Sequence, residues 1–166
     1  TNNLSKEFRT ELDARDNYTP GYKFNYWEMK GVPIRLEIGP RDIENNQCVL
    51  VRRDTLEKEI VSLDNVNARI AELLEEIQKN MFNMAKENTE NKTTIAKNLE
   101  EFENNINTNQ GYVKTMWCGS AECEEKIHNL TGAKSRCMPF NQEHISDTCV
   151  CCGKPATKMV VWGRQY

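Results

Sequence analysis

The sequence predicts an α/β chain: a small sheet with flanking helices, then further helices, then a small α+β module organised by cysteines. Three observations predict it. Ile34, Leu36 and Ile38 alternate with polar residues, as in a half-buried strand, and 47–53 is apolar on both faces at its centre, as in an interior strand. Leu63, Val66, Ile70, Leu73, Leu74, Ile77, Met81 and Met84 recur at spacings of three and four, forming one stripe of an amphipathic helix. Six of the seven cysteines fall between residues 118 and 152, and clustering of that kind reads as metal binding.

The elements follow in order. Residues 4–12 read as the end of a helix entering a short strand at 12–15. Thr19-Pro20-Gly21 is turn chemistry that starts a helix over 23–29, which Gly31 stops. The strand at 34–38 ends at Gly39-Pro40, a short helix or turn runs to Asn46, and 47–53 and 59–63 supply two more strands. This first block, 1–63, opens inside a helix with no strand for that helix to cross over from, so its sheet is expected to be incomplete and the chain a piece of a longer protein. The second block, 64–110, is helical, with Asp64 or Asn65 as N-cap. The polar stretch 87–94 is expected to interrupt it before Ile95, Leu99, Phe102 and Ile106 resume the helical period. The third block, 111–166, reads as a strand at 112–117, a helix at 121–130 and a final strand at 158–162. The apolar stripe reads as a core-facing helix pair and has too few heptads for a coiled coil.

Composition narrows the functional classes. With 38% apolar and 28% charged residues, and no apolar run approaching the roughly 20 residues a membrane span needs, a cytoplasmic protein without membrane contact is expected. The formal charge is −3, and residues 64–103 carry nine acidic against five basic side chains. Charge alone therefore points to no nucleic-acid partner.

The cysteines carry more. An odd count cannot pair off completely, and a reducing compartment disfavours structural disulfides. Cys48, in an apolar run, reads as a buried thiol, and Cys137 is expected in the core. The short-spaced pairs Cys118/Cys123 and Cys149/Cys152 supply four thiolates for a tetrahedral Zn²⁺, with Cys151 the runner-up in the second pair. Four thiolates leave no open coordination position, so the expected role is structural. Two rival readings are free, partly buried thiols and a redox C-x-x-C. His128 and His144 are weaker ligand candidates than the cysteines.

Residues 16–42 hold the motif that identifies the chain. Thr19-Pro20-Gly21-Tyr22-Lys23-Phe24 and Gly31-Val32-Pro33-Ile34-Arg35-Leu36-Glu37-Ile38-Gly39-Pro40-Arg41-Asp42 closely resemble prolyl-tRNA synthetases of the archaeal and eukaryotic type. Val51-Arg52-Arg53-Asp54, Met116-Trp117-Cys118-Gly119, Ser135-Arg136-Cys137-Met138-Pro139-Phe140, Cys149-x-x-Cys152-Gly-Lys-Pro-Ala and the terminal Tyr166 continue the likeness in the same order. The resemblance implies the C-terminal part of a class II proline-tRNA ligase: an anticodon-binding mixed sheet with flanking helices, then a zinc module. It implies anticodon contacts at Phe24, Glu28, Arg35, Arg41 and Lys58, and zinc ligands at Cys118, Cys123, Cys149 and Cys152. It implies tRNA(Pro) as partner, and ATP and Mg²⁺ bound only in the catalytic domain of the same parent chain. It also implies a homodimeric parent and a contact from Tyr166 to the catalytic domain. No catalytic signature of class II synthetases is present, so this chain alone is expected to be inactive.

The residue chemistry suits those roles. Phe24 and Glu28 are four apart and share a helix face; Arg35 and Glu37 share a strand face. A carboxylate accepts from guanine N1–H and N2–H₂, an arginine reaches O6, N7 or a phosphate, and an aromatic face holds a splayed base. The bland readings are Phe24 as core and Glu28 with Arg35 or Arg41 as a surface ion pair. Trp27 reads as packing, and Arg52 and Arg53 as solvated or facing phosphate. A freestanding RNA-binding zinc protein and a thiol–disulfide oxidoreductase are the alternative functions.

Overall fold

The computed structural model describes residues 3–165 and divides the chain into two compact units, Thr1–Met84 and Ala85–Tyr166. The first contains a 3-10 turn, Leu4–Lys6, then α1 (Pro20–Met29), β1 (Ile34–Glu37), α2 (Pro40–Glu44), β2 (Gln47–Arg52) and β3 (Lys58–Ser62). Helix α3 (Val66–Asn91) begins in the first unit and finishes in the second. The second unit continues with β4 (Thr93–Ile95), α4 (Leu99–Thr108), β5 (Tyr112–Trp117), α5 (Ala121–Thr131), β6 (Ala133–Cys137) and β7 (Lys158–Arg164). The three blocks read from the sequence are therefore a different partition, because β4 and α4 pack within the second unit.

In the first unit β1, β2 and β3 form an antiparallel sheet in that order, with Arg35 opposite Val51, Glu37 opposite Val49 and Val51 opposite Lys58. Strand alternation then sorts the side chains. Ile34, Leu36, Cys48, Leu50 and Val61 point to one face and pack with Val66, Ile70, Leu73 and Leu74 of α3. Burying each such aliphatic side chain contributes about 1.5–3 kcal/mol. Cys48 is fully buried, and that burial pushes its thiol up from the ordinary range. The other face carries Arg35, Glu37, Lys58 and Ile60, and Ile60 is 67% exposed. The sequence pattern is thus confirmed for the strands, with all three antiparallel; the mixed pairing lies in the second sheet.

Several expectations change. Residues 12–15 form no strand among the described residues. Asp13 there takes a bidentate pair from Arg15 (2.8 and 2.6 Å) and a hydrogen bond from Trp27 Nε1 (2.8 Å), so side chains occupy what backbone pairing would have organised. Trp27 thereby holds the Asp13–Arg15 pair through its indole N–H. Helix α3 is not interrupted at 87 but runs to Asn91: Asn and Thr weaken a helix by only tenths of a kcal/mol each, and Thr89 bonds back to Ala85 O at 2.9 Å. The apolar stripe is buried only as far as Ile77; Met81 and Met84 are exposed. Ile95 lies on an edge strand instead of resuming a helix.

The second sheet has the order β4-β5-β7-β6, parallel between β4 and β5 and antiparallel elsewhere. Gly111 makes the parallel pairing possible. A Cβ there would lie 1.9 Å from Lys92 O, the carbonyl that accepts Tyr112 N–H at 2.9 Å. Phe102, Ile106, Val113, Ile127, Val150, Val160 and Trp162 form the core. The Trp162 ring meets Phe102 and Trp117 edge-on at 6.0 and 6.3 Å, and its Nε1–H donates to Thr115 Oγ1 at 2.9 Å. Cys137 is exposed rather than in the core, because β6 is an edge strand whose register slips between Ser135 and Cys137.

Candidate functional site

Two groups of side chains stand out, one in each unit. The first is assembled by α1 and β1. Thr19 caps α1, its hydroxyl accepting from Tyr22 N–H at 3.4 Å, and Pro20 occupies the first turn. The helix ends before Gly31, whose φ of +82° suits glycine. This places Phe24 and Glu28 one turn apart toward β1. The Arg35 guanidinium lies 4.0 Å above the Phe24 ring centroid, donates through Nη1 to Glu28 Oε1, and donates through Nε to Glu37 Oε1 at 2.8 Å. Lys58 Nζ stands 3.9 Å from Glu37 Oε2. Two carboxylates and two cations therefore balance on one face. Glu28 Oε2 accepts none of the described hydrogen bonds.

Phe24, Glu28, Arg35 and Lys58 are thus brought together, and Glu37, noted from sequence only as Arg35's neighbour on the strand, joins them as the link. Phe24 is half-buried under a cation and belongs to no apolar cluster. Arg41 does not join the group. It is exposed on α2, where Asp42 accepts from Gly39 N–H at 2.9 Å and fixes the start of the helix, and its side chain has no partner among the described residues. Arg52 departs from its expected solvated state. It donates to Asp54 (3.1 and 2.8 Å) and Glu76 (3.0 Å), and its side chain is 16% exposed. Arg53 is half-buried with no side-chain partner among the described residues.

The second group is the cysteine centre. Strand β5 delivers Cys118, Gly119 turns the chain at φ +87°, and Cys123 follows in the first turn of α5. The other pair comes from a turn before β7, closed by Cys149 N–H to Lys154 O (2.7 Å) and Gly153 N–H to Cys149 O (3.0 Å), with Gly153 at φ +70°. The four sulfurs of Cys118, Cys123, Cys149 and Cys152 lie within 4.8 Å of one another, and Cys118 is 3.7 Å from Cys123 and 3.8 Å from Cys152. Tetrahedral Zn²⁺ with Zn–S bonds of about 2.3 Å demands sulfurs about 3.8 Å apart, so the donor set fits the ion. Cys151 packs beside this group and against the core and is not one of the four.

The thiols differ. The Lys154 backbone N–H holds Cys152 down to about 7. Burial, then the neighbouring sulfurs, push Cys123 well above the usual thiol range. At Cys118 the Ser120 N–H lowers the thiol, but burial and neighbouring sulfurs outweigh it and leave it raised. Tyr166, the expected contact to a catalytic domain, lies outside the described residues.

Residues 1–73 match the family model of the anticodon binding domain, so the class is an anticodon-binding part of an aminoacyl-tRNA synthetase, here followed by a four-cysteine module. Residues 99–166 match the model of the prolyl-tRNA synthetase C-terminal domain. The proline–tRNA ligase of Clostridium botulinum (strain ATCC 19397 / Type A) is 54% identical over 163 residues, 98% of this chain and 34% of the ligase. Proline–tRNA ligase 2 of Bacillus cereus is also 54% identical, and that of Bacillus thuringiensis subsp. konkukian is 53% identical, over the same shares. The chain belongs to the prolyl-tRNA synthetase family, as its C-terminal, anticodon-binding part. It spans about a third of the length of the curated relatives it matches.

Proposed function

We propose that this chain reads the anticodon of tRNA(Pro) for a longer, dimeric, cytoplasmic ligase that joins proline to that tRNA. ATP, Mg²⁺ and the aminoacylation chemistry belong to the remaining catalytic part of that ligase. One observation carries the reading: Phe24, Arg35 and Glu28 converge on an open sheet face, with Glu28 Oε2 accepting no hydrogen bond among the described residues.

Proline anticodons carry guanine at the second and third positions. Glu28 accepts from a guanine N1–H and N2–H₂ edge, and a charge-assisted pair of this kind is roughly twice as strong as a neutral one. Arg35 is oriented by Glu28, Glu37 and the Phe24 ring, so its donors meet guanine O6 or N7 already ordered. Phe24, one face of which carries Arg35, adds the rest of its half-buried ring as apolar surface for the base. Lys58 and the exposed Arg41 neutralise phosphates or reach a second base. The four cysteines hold Zn²⁺, which when bound supplies folding free energy to a segment that otherwise relies on a small core. Its ligands tie the end of β5, the start of α5 and the turn before β7 together. Tyr166 is assigned a contact with the catalytic part on the resemblance alone. No described helix is long and apolar enough to cross a membrane.

The test is competition binding of the ligase that carries this chain to tRNA(Pro) transcripts. Replacing either anticodon guanine by adenine is expected to weaken binding about fivefold or more, since one good bidentate base contact discriminates by about 1–3 kcal/mol. Equal binding of guanine and adenine transcripts defeats the proposal.

A further inference from the structure

Helix α1 and the loop before it carry a second organised surface that the Phe24–Arg35–Glu28 group does not use. The Tyr18 and Tyr22 rings stack with centroids 4.4 Å apart and planes 13° from parallel, and they are 39% and 50% exposed. The Arg15 guanidinium lies 4.9 Å from the Tyr18 centroid and 4.7 Å from that of Tyr26, while Lys30 Nζ is 5.6 Å from Tyr26. Asp13 fixes Arg15 through two hydrogen bonds and is itself fixed by Trp27. The outcome is a stack running Tyr26, Arg15, Tyr18, Tyr22, in which Arg15 is locked and the final ring is the open end. Tyr18 and Tyr22 belong to no apolar core cluster. Half-exposed rings stacked on each other and edged by cations are the elements from which proteins build platforms for unpaired bases.

We propose that the Tyr18–Tyr22 stack, backed by Arg15, is a docking platform for an unpaired nucleobase of the anticodon loop other than the two guanines. The inference rests on the proposed reading of tRNA by the same helix. Tyr22 lies two residues before Phe24 on α1, about 200° around the helix, and the shorter arc between them carries Gly21 and Asn25, both open to solvent, together with Glu28 and the exposed Met29. A side chain added at Gly21 would meet nothing within 4 Å, so the helix surface is open at that position. A helix with side chains is about 10 Å across, a width that a short run of unpaired nucleotides bridges. Lys23, which donates to Asp13 O at 3.4 Å, and Lys30, over the Tyr26 ring, lie on the opposite side of the helix and help fix the stack's inner end. The platform reads no base edge, because any base has a face to stack. It contributes affinity and register, and the guanine contacts supply the discrimination.

The experiment compares the ligase carrying this chain with Tyr22→Leu, Tyr18→Leu/Tyr22→Leu and Tyr22→Phe variants. Binding is measured to tRNA(Pro) transcripts with intact or adenine-substituted anticodon guanines, and 2-aminopurine is placed at each remaining anticodon-loop position in turn. The double Leu variant is expected to lose about tenfold or more in affinity for both transcripts by the same factor. Tyr22→Phe should bind like the parent, and one 2-aminopurine position should be quenched by the parent and by Tyr22→Phe but not by the Leu variants. Unchanged affinity in the Leu variants, or a loss that Tyr22→Phe shares, overturns the platform. A defect in tRNA-independent ATP–pyrophosphate exchange, or a change in oligomeric state, overturns it too and assigns the face to the catalytic part or to a second copy. Indifference of the parent to the guanine substitutions defeats guanine reading instead, and is read independently of the Tyr variants.

Discussion

Replacing Glu28 by glutamine separates reading from folding. The side chain is 34% exposed and meets the rest of the unit through one hydrogen bond, from Arg35 Nη1 to Oε1. A glutamine amide oxygen still accepts that bond, and Arg35 stays held by Glu37 at 2.8 Å and above Phe24 at 4.0 Å. Partly exposed pairs contribute at most about 1 kcal/mol, so the expected loss of stability is below that. Recognition should suffer more. Glutamine replaces two charged acceptor oxygens by one neutral acceptor and a donor, and the donor faces guanine's own donors. Discrimination of guanine from adenine should fall by about 1–3 kcal/mol, roughly 5-fold to 150-fold. Urea unfolding of the variant, set beside competition binding with guanine- and adenine-bearing transcripts, measures both quantities. Unchanged discrimination, or a loss of binding matched by a loss of folded protein, refutes the reasoning.

Three further outcomes follow from other parts of the molecule. Native mass spectrometry should find one zinc per chain; Cys123→Ser should abolish stoichiometric retention and broaden unfolding of the second unit, whereas Cys151→Ser should retain the metal. Arg52, with help from Asn80, holds the Asp54 carboxyl down to about 2, below its value of about 3.9 in an unfolded chain. The folded pKa is the lower one, so this contribution is complete above about pH 4 and is lost as pH falls toward 2. Urea midpoints between pH 6 and 2 should show a loss of about 2 kcal/mol or less from this pair, absent in Asp54→Asn. Gly111→Ala should destabilise the second unit by more than about 2 kcal/mol, read as a lowered melting temperature, because the new Cβ meets a backbone carbonyl that cannot rotate away.

How much of this was legible in the sequence depends on the range of the interaction. Ile34 and Leu36 announced β1, the stripe from Val66 to Ile77 announced α3, and the C-x₄-C and C-x₂-C spacings picked out the four sulfurs that converge. The pairing of Phe24 with Glu28 on one helix face was equally readable. The edge strands β4 and β6 were not, because three to five residues with little apolar patterning become strands only when a distant neighbour supplies hydrogen bonds. Arg52 illustrates the same point for charge. Its partner Asp54 was two residues away, but Glu76 is 24 away, and nothing local assigns a solvated arginine to a helix two elements on.

The sequence by itself determined the periods, the turns and the chemistry available: which residues carry thiolates, carboxylates, guanidinium groups and rings, and on which face of each element. Tertiary structure alone decided which of them meet. It set Arg35 over Phe24 while leaving the Arg41 side chain without a partner among the described residues. It also turned Cys149 and Cys152 toward the other pair, leaving Cys151 outside the four. The physical reason is that periodicity is a property of a few neighbouring residues, whereas a charge pair or a coordination shell depends on distances of a few ångströms between segments far apart in the chain.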